Sequence, residues 1–133
     1  MSSLITTVND IQNNQNLHIV KFNFNDLVIT MMSLELTKNI KINSKVKLLI
    51  KPTNISIAKQ FDKNISIDNQ LECKIISIEN GELLSNIKVD IFDTTIESII
   101  TLESAQKLNL KIGDEVVILF NASDISILEI LND

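Results

Sequence analysis

Few side chains in this 133-residue chain could carry out covalent or metal chemistry. Its one cysteine, Cys73, lies in the apolar stretch Leu71-Glu-Cys-Lys-Ile75, which marks a buried structural thiol rather than a nucleophile, and a single cysteine cannot close an internal disulfide. His18 has no second histidine and no clustered cysteine to join it, so a metal-cation site is not expected. No nucleophile is placed with a base, no carboxylates are paired, and the only two glycines, Gly81 and Gly113, cannot make a phosphate-cradling loop. Catalysis is therefore not expected. What remains is a stock of hydroxyls, amides and lysines, all hydrogen-bond donors.

Part of that stock occurs twice. Val46-Lys-Leu-Leu-Ile-Lys51-Pro-Thr53-Asn-Ile-Ser-Ile57 returns as Val116-Val-Ile-Leu-Phe-Asn121-Ala-Ser123-Asp-Ile-Ser-Ile127, an offset of 70 (121 − 51 = 70). The chain reads as a tandem duplication. Halves of about 65 residues are at the lower edge of what folds alone, so the two are expected to lean on each other or on other subunits.

Composition narrows the class. Hydrophobic residues make up 44% of the chain, mostly Ile, Leu and Val, which suit a pleated, half-buried surface. The net charge is −5 and all 12 basic residues are lysine, without arginine, tryptophan or tyrosine. Nucleic acid is a poor partner for such a chain, because it asks for a basic face, arginine forks and aromatic platforms. There is no apolar run of 18 or more residues and no basic-then-apolar start, so the expectation is a cytoplasmic protein without membrane insertion.

The elements that must hold the polar residues are short strands. In the second half, Gln70–Glu79 alternates and then changes phase at Ile75-Ile76, which predicts a bulge or a bend. Asn80-Gly81 is expected to supply the positive backbone angles of a tight turn. Asn86–Phe92 places Ile87, Val89 and Ile91 on one face, and Ile96–Ile100 makes a third strand. A helix follows, capped by Thr101, with Glu103 in its first turn and its end near Leu108 or Asn109. Gly113-Asp114 turns the chain into Val116–Phe120 and Asp124–Leu128. The first half repeats this plan with Leu17–Phe24, Leu27–Met32, a short helix around Ser33–Lys38, Val46–Ile50 and Asn54–Ala58, and Met31-Met32 is assigned to the core. Its opening strand is the weak point: aligning Val8 with Ile78 sets Met1 opposite Leu71, so that the first repeat begins after the place of Ser66-Ile-Asp-Asn69. The expected units are 1–62 and 63–133, joined near Gln60–Asn64.

From Asn69-Gln-Leu71 through Ser77-Ile-Glu-Asn-Gly81, Ile99-Ile-Thr-Leu-Glu-Ser-Ala105, Leu108-Asn-Leu-Lys-Ile-Gly-Asp-Glu-Val116 and Phe120-Asn-Ala-Ser-Asp124, the second half resembles the molybdenum-pterin-binding proteins, or molbindins. The resemblance covers residues 66–128, and more loosely 1–59. It implies an all-β chain of two tandem OB-like five-stranded β-barrels (Mop or TOBE modules), each with one short helix. It also implies a homotrimer that binds molybdate or tungstate at interfaces for storage or homeostasis. A tetrahedral dianion needs several donors around it, which backbone N–H groups, hydroxyls and lysine provide without a basic patch.

Four segments match the family's binding positions: Ser66, Ile67, Asp68 and Asn69; Thr101 with Ser104; Lys51, Pro52 and Thr53; and Asn121, Ala122 and Ser123. Asp68 stands where the family commonly has arginine, and Asn121 where it commonly has lysine. A carboxylate beside a dianion repels it unless it points away, and the second change removes a cation. Fewer sites, weaker binding or greater reliance on backbone amides are the open consequences. Each segment also has a plainer reading, as a polar strand entry, a helix cap or a solvated strand break. The leading alternative function is an oxyanion-sensing effector module serving a separate molybdate-responsive regulator or transporter ATPase.

Overall fold

A computed structural model of the chain describes residues 2–36 and 38–131. The first half supplies β1 (Ser2–Asn14), β2 (Leu17–Phe24), β3 (Leu27–Ser33), β4 (Lys45–Ile50) and β5 (Ser56–Ala58). The second supplies β6 (Asn69–Asn80), β7 (Leu84–Ile91), β8 (Thr94–Thr101), helix α1 (Leu102–Lys107), β9 (Glu115–Phe120) and β10 (Ile125–Ile130). A 3-10 turn precedes β5 at Pro52–Asn54 and another precedes β10 at Ala122–Asp124.

The strands form two five-stranded sheets, ordered β10-β4-β1-β2-β3 and β5-β9-β6-β7-β8. The fifth strand of each half is thus paired in the sheet of the other. β5 sets Ser56 against Leu119 and Ala58 against Val117, while β10 sets Ile125 against Ile50 and Ile130 against Val46. The halves are interlocked by main-chain hydrogen bonds, which are obligatory for buried strands. The all-β, two-unit architecture expected from the sequence is the one observed.

Alternation explains what each strand buries. Ile87, Val89 and Ile91 of β7 face inward, and Val20, Phe22 and Phe24 of β2 do the same in the first sheet. Leu4, Leu48, Ile118 and Phe120 complete a core drawn from both halves. Cys73 lies in it, and burial pushes its thiol up to about 12, as suits an unreactive group.

Strand register corrects the repeat. Leu4 pairs with Leu48 and Leu71 with Ile118, and both long strands carry an irregularity, between Val8 and Asp10 and between Ile75 and Ser77. Val8 is therefore equivalent to Ile75 rather than Ile78, and Ser2 to Asn69, an offset of 67 (75 − 8 = 67). The offset of 70 holds only from β4 and β9 onward. The three-residue difference arises between β3 and β4 on one side and β8 and β9 on the other: Ser33 to Lys45 is 12 positions, the equivalent Ile100 to Glu115 is 15.

Those extra residues accommodate α1, and the first half has no helix among the described residues. Leu34–Leu36 are irregular, Lys38 and Asn39 form a turn, and Thr37 lies outside the described residues. Two further expectations are corrected. Neither Asn80 nor Gly81 has positive φ, because β6 and β7 are joined by a wider loop closed by Gly81 N–H on Leu84 C=O at 2.8 Å. The positive angles fall in the next hairpin, at Phe92 (φ 50°) and Asp93 (φ 60°). Met31 is buried, but the following Met32 points outward, as alternation along β3 requires.

Candidate functional site

The exchange of β5 and β10 decides which polar segments meet. The 3-10 turn that follows Lys51 packs against β8, the strand that ends in Thr101, whereas the turn that follows Asn121 packs against β3. The predicted residues therefore fall into two clusters, one on each face.

On the β8 face, Lys51 is exposed and in extended conformation, and Pro52 at the start of the turn fixes the backbone there. Thr53 follows on the turn. Ser98 of β8 donates through Oγ to Ile55 C=O at 2.6 Å, which fastens the turn to the strand. Thr101 caps α1 as expected: its Oγ1 accepts from Ser104 N–H at 3.1 Å and donates to Ser104 Oγ at 2.9 Å. Both residues remain exposed. Ser104 and Lys107 border a cleft of 220 Å³ with Ser56 of the exchanged strand. Lys107 and Ser56 were not singled out in the sequence; only the exchange, which no local pattern reports, brings them beside Ser104.

On the β3 face, Asn121 donates to Asp124 Oδ2 at 3.3 Å, and Ser123 borders a groove with Leu17, Ser33, Leu34 and Glu35. Ala122 is buried beneath the turn. Ser66, Ile67 and Asp68 lead into β6 here, because Asn69 pairs with Phe120 and touches Thr30 of β3. Asn69 is buried and its side-chain amide is committed: Oδ1 accepts from Thr30 N–H at 2.8 Å and Nδ2 donates to Thr30 C=O at 2.9 Å. Ser66 and Asp68 are exposed.

Lys51-Pro52-Thr53 and Thr101-Ser104 thus share one face, and Ser66–Asn69 and Asn121–Ser123 share the other. The first set presents an ammonium and hydroxyls, fit for an anion, and no cluster of His, Cys, Asp and Glu suited to a metal cation occurs among the described residues. Glu97 of β8 accepts from Asn86 Nδ2 at 2.8 Å, and this bond above all holds its carboxyl below the usual value.

Comparisons with known proteins agree with this architecture. Residues 65–127 match the family model of the TOBE domain. A probable molybdenum-pterin-binding protein of Haemophilus influenzae is 33% identical over 64 residues, which are 47% of this chain and 93% of that protein. Among solved structures, the cytoplasmic molybdate-binding protein ModG with molybdate bound has the same fold, with a TM-score of 0.88 at 18% identity over 94% of this chain and 93% of the other.

Proposed function

Because the chain belongs to the molybdenum-pterin-binding protein family, we propose that it binds molybdate or tungstate and stores or buffers the anion in the cytoplasm, without catalysis. The supporting observation is that the likeness to the molybdate-bound ModG runs through both five-stranded units, not through one alone. The donors fit the ligand class. A tetrahedral dianion is held by hydroxyls, main-chain N–H groups and an occasional ammonium, and these are the groups at Lys51, Thr53, Thr101 and Ser104 on one face and at Ser66 on the other. Since those segments occupy different faces of one chain, an anion that uses both is held between copies, and a homotrimer is the proposed assembly. No nucleic-acid partner enters this reading.

Thermal-shift titration with molybdate, tungstate and sulfate, run beside native mass spectrometry, tests it. An anion at a hundredfold its dissociation constant adds about 2.7 kcal/mol to stability, which is easily seen as a rise in melting temperature. The expected result is a rise with molybdate and tungstate, little with sulfate, and a trimeric mass. No rise with either metal oxyanion at millimolar concentration rejects the function.

A further inference from the structure

The two faces share a fold but not a chemistry. Equivalent positions follow from the strand pairings: Lys51 with Asn121 and Asn54 with Asp124 at an offset of 70, and Thr101 with Leu34 at an offset of 67. Between the two turn segments, Lys51-Pro-Thr-Asn54 and Asn121-Ala-Ser-Asp124, the formal charge goes from +1 to −1. The one remaining donor at the start of the second segment, the Asn121 amide, is held by Asp124. The hydroxyl of Thr101 is replaced by Leu34, an apolar side chain 72% exposed. Carboxylates border both faces, Glu82 and Glu103 around Thr101 and Glu35 beside Leu34, so the β8 face is distinguished by the Lys51 ammonium and this hydroxyl and not by fewer acids. On the β3 face, Asp68 adds a further exposed carboxylate. Within the turn itself, loss of the Lys51 ammonium and gain of the Asp124 carboxylate lower its attraction for a dianion.

Resting on the proposed function, we infer that of the two equivalent turns only Lys51-Pro-Thr-Asn54, packed against the β8 strand that ends in Thr101, captures oxyanion, and that Asn121-Ala-Ser-Asp124 on the β3 face captures none. Each chain then offers one capturing turn rather than two. The β3 turn keeps the shape of a site and serves the fold: Ala122 is buried and Ile125 begins the exchanged strand.

The test is the amount of molybdate bound per chain, measured by equilibrium dialysis with metal analysis, with circular dichroism melting to verify the fold. Lys51→Ala, at an exposed position, is expected to weaken molybdate binding at least tenfold across the whole bound population. The combined change Asn121→Lys, Asp124→Asn and Leu34→Thr is expected to raise the molybdate bound per chain above that of the parent. If Lys51→Ala removes only half of the bound molybdate and leaves the rest at parental affinity, both faces capture, and the inference is overturned while the function stands. If the parent binds no molybdate, both are overturned.

Discussion

Asn69 contacts Thr30 as one strand contacts another: its side-chain amide accepts from Thr30 N–H at 2.8 Å and donates to Thr30 C=O at 2.9 Å. The equivalent position, Ser2, meets the equivalent residue, Glu97, with Glu97 N–H donating to Ser2 Oγ at 2.8 Å. The same joint is thus made twice between the units, through both groups of a side-chain amide at one copy and through a serine hydroxyl at the other. Each ties the start of a long strand to an edge strand of the opposite sheet, which would otherwise leave a backbone group unpaired.

Asn69→Ala should therefore cost about 2–4 kcal/mol, since it removes two bonds and strands a donor and an acceptor on Thr30. Ser2→Ala should cost about 1 kcal/mol. Urea melts of both variants check the ratio, and equal losses would contradict the unequal joint.

Cutting the chain between residues 62 and 63 leaves each fragment without the strand that completes its sheet. Neither fragment is expected to give a cooperative melt, and mixing them should restore the β-type circular dichroism of the parent. Cooperative folding of either one by itself would show that the exchanged strand is dispensable.

The Cys73 thiol, buried and pushed up to about 12, should be inert in the folded protein at pH 8. It should react with a thiol reagent only at the rate of global opening, and so report unfolding. Burst-phase labelling without denaturant would place the side chain outside the core.

Glu97 gives a signed pH effect. Its carboxyl lies below the ordinary 4.5 when folded, chiefly through Asn86, so its contribution is present above 4.5 and is lost as pH falls through the folded value. Asn86→Ala should return the Glu97 midpoint toward 4.5 in a carboxyl-carbon NMR titration and flatten this part of the acid limb. An unchanged midpoint would assign the shift to another neighbour.

Phe92 sits at φ 50° in the β7–β8 turn, with its ring edge-on to Phe24 at a centroid distance of 5.4 Å. Asparagine relieves the left-handed backbone but loses that contact, two effects of about 1 kcal/mol that oppose each other. Phe92→Asn should thus lie within about 1 kcal/mol of the parent, whereas Phe24→Ala, in the core, should cost about 3–5 kcal/mol. A large loss at Phe92 would mean that the ring contact outweighs the backbone.

Local features were legible in the sequence because they are determined locally. Alternation of Ile87, Val89 and Ile91 sets a buried face, the broken phase at Ile75-Ile76 marks the irregular pairing, and Thr101 caps its helix through a hydroxyl three residues from Ser104. The ligand class is implied by the family resemblance of residues 66–128 and by no local motif. Alternation, however, says which side of a strand is buried and not which edge it joins. The pairing of β5 with β9 and of β10 with β4 was decided by long-range main-chain bonds, and the same bonds sorted the candidate residues into two faces. The true offset of 67 was hidden for a related reason: three residues gained beside α1 cost little at a surface connection, so the clear match of the later strands carried the wrong spacing back to Val8.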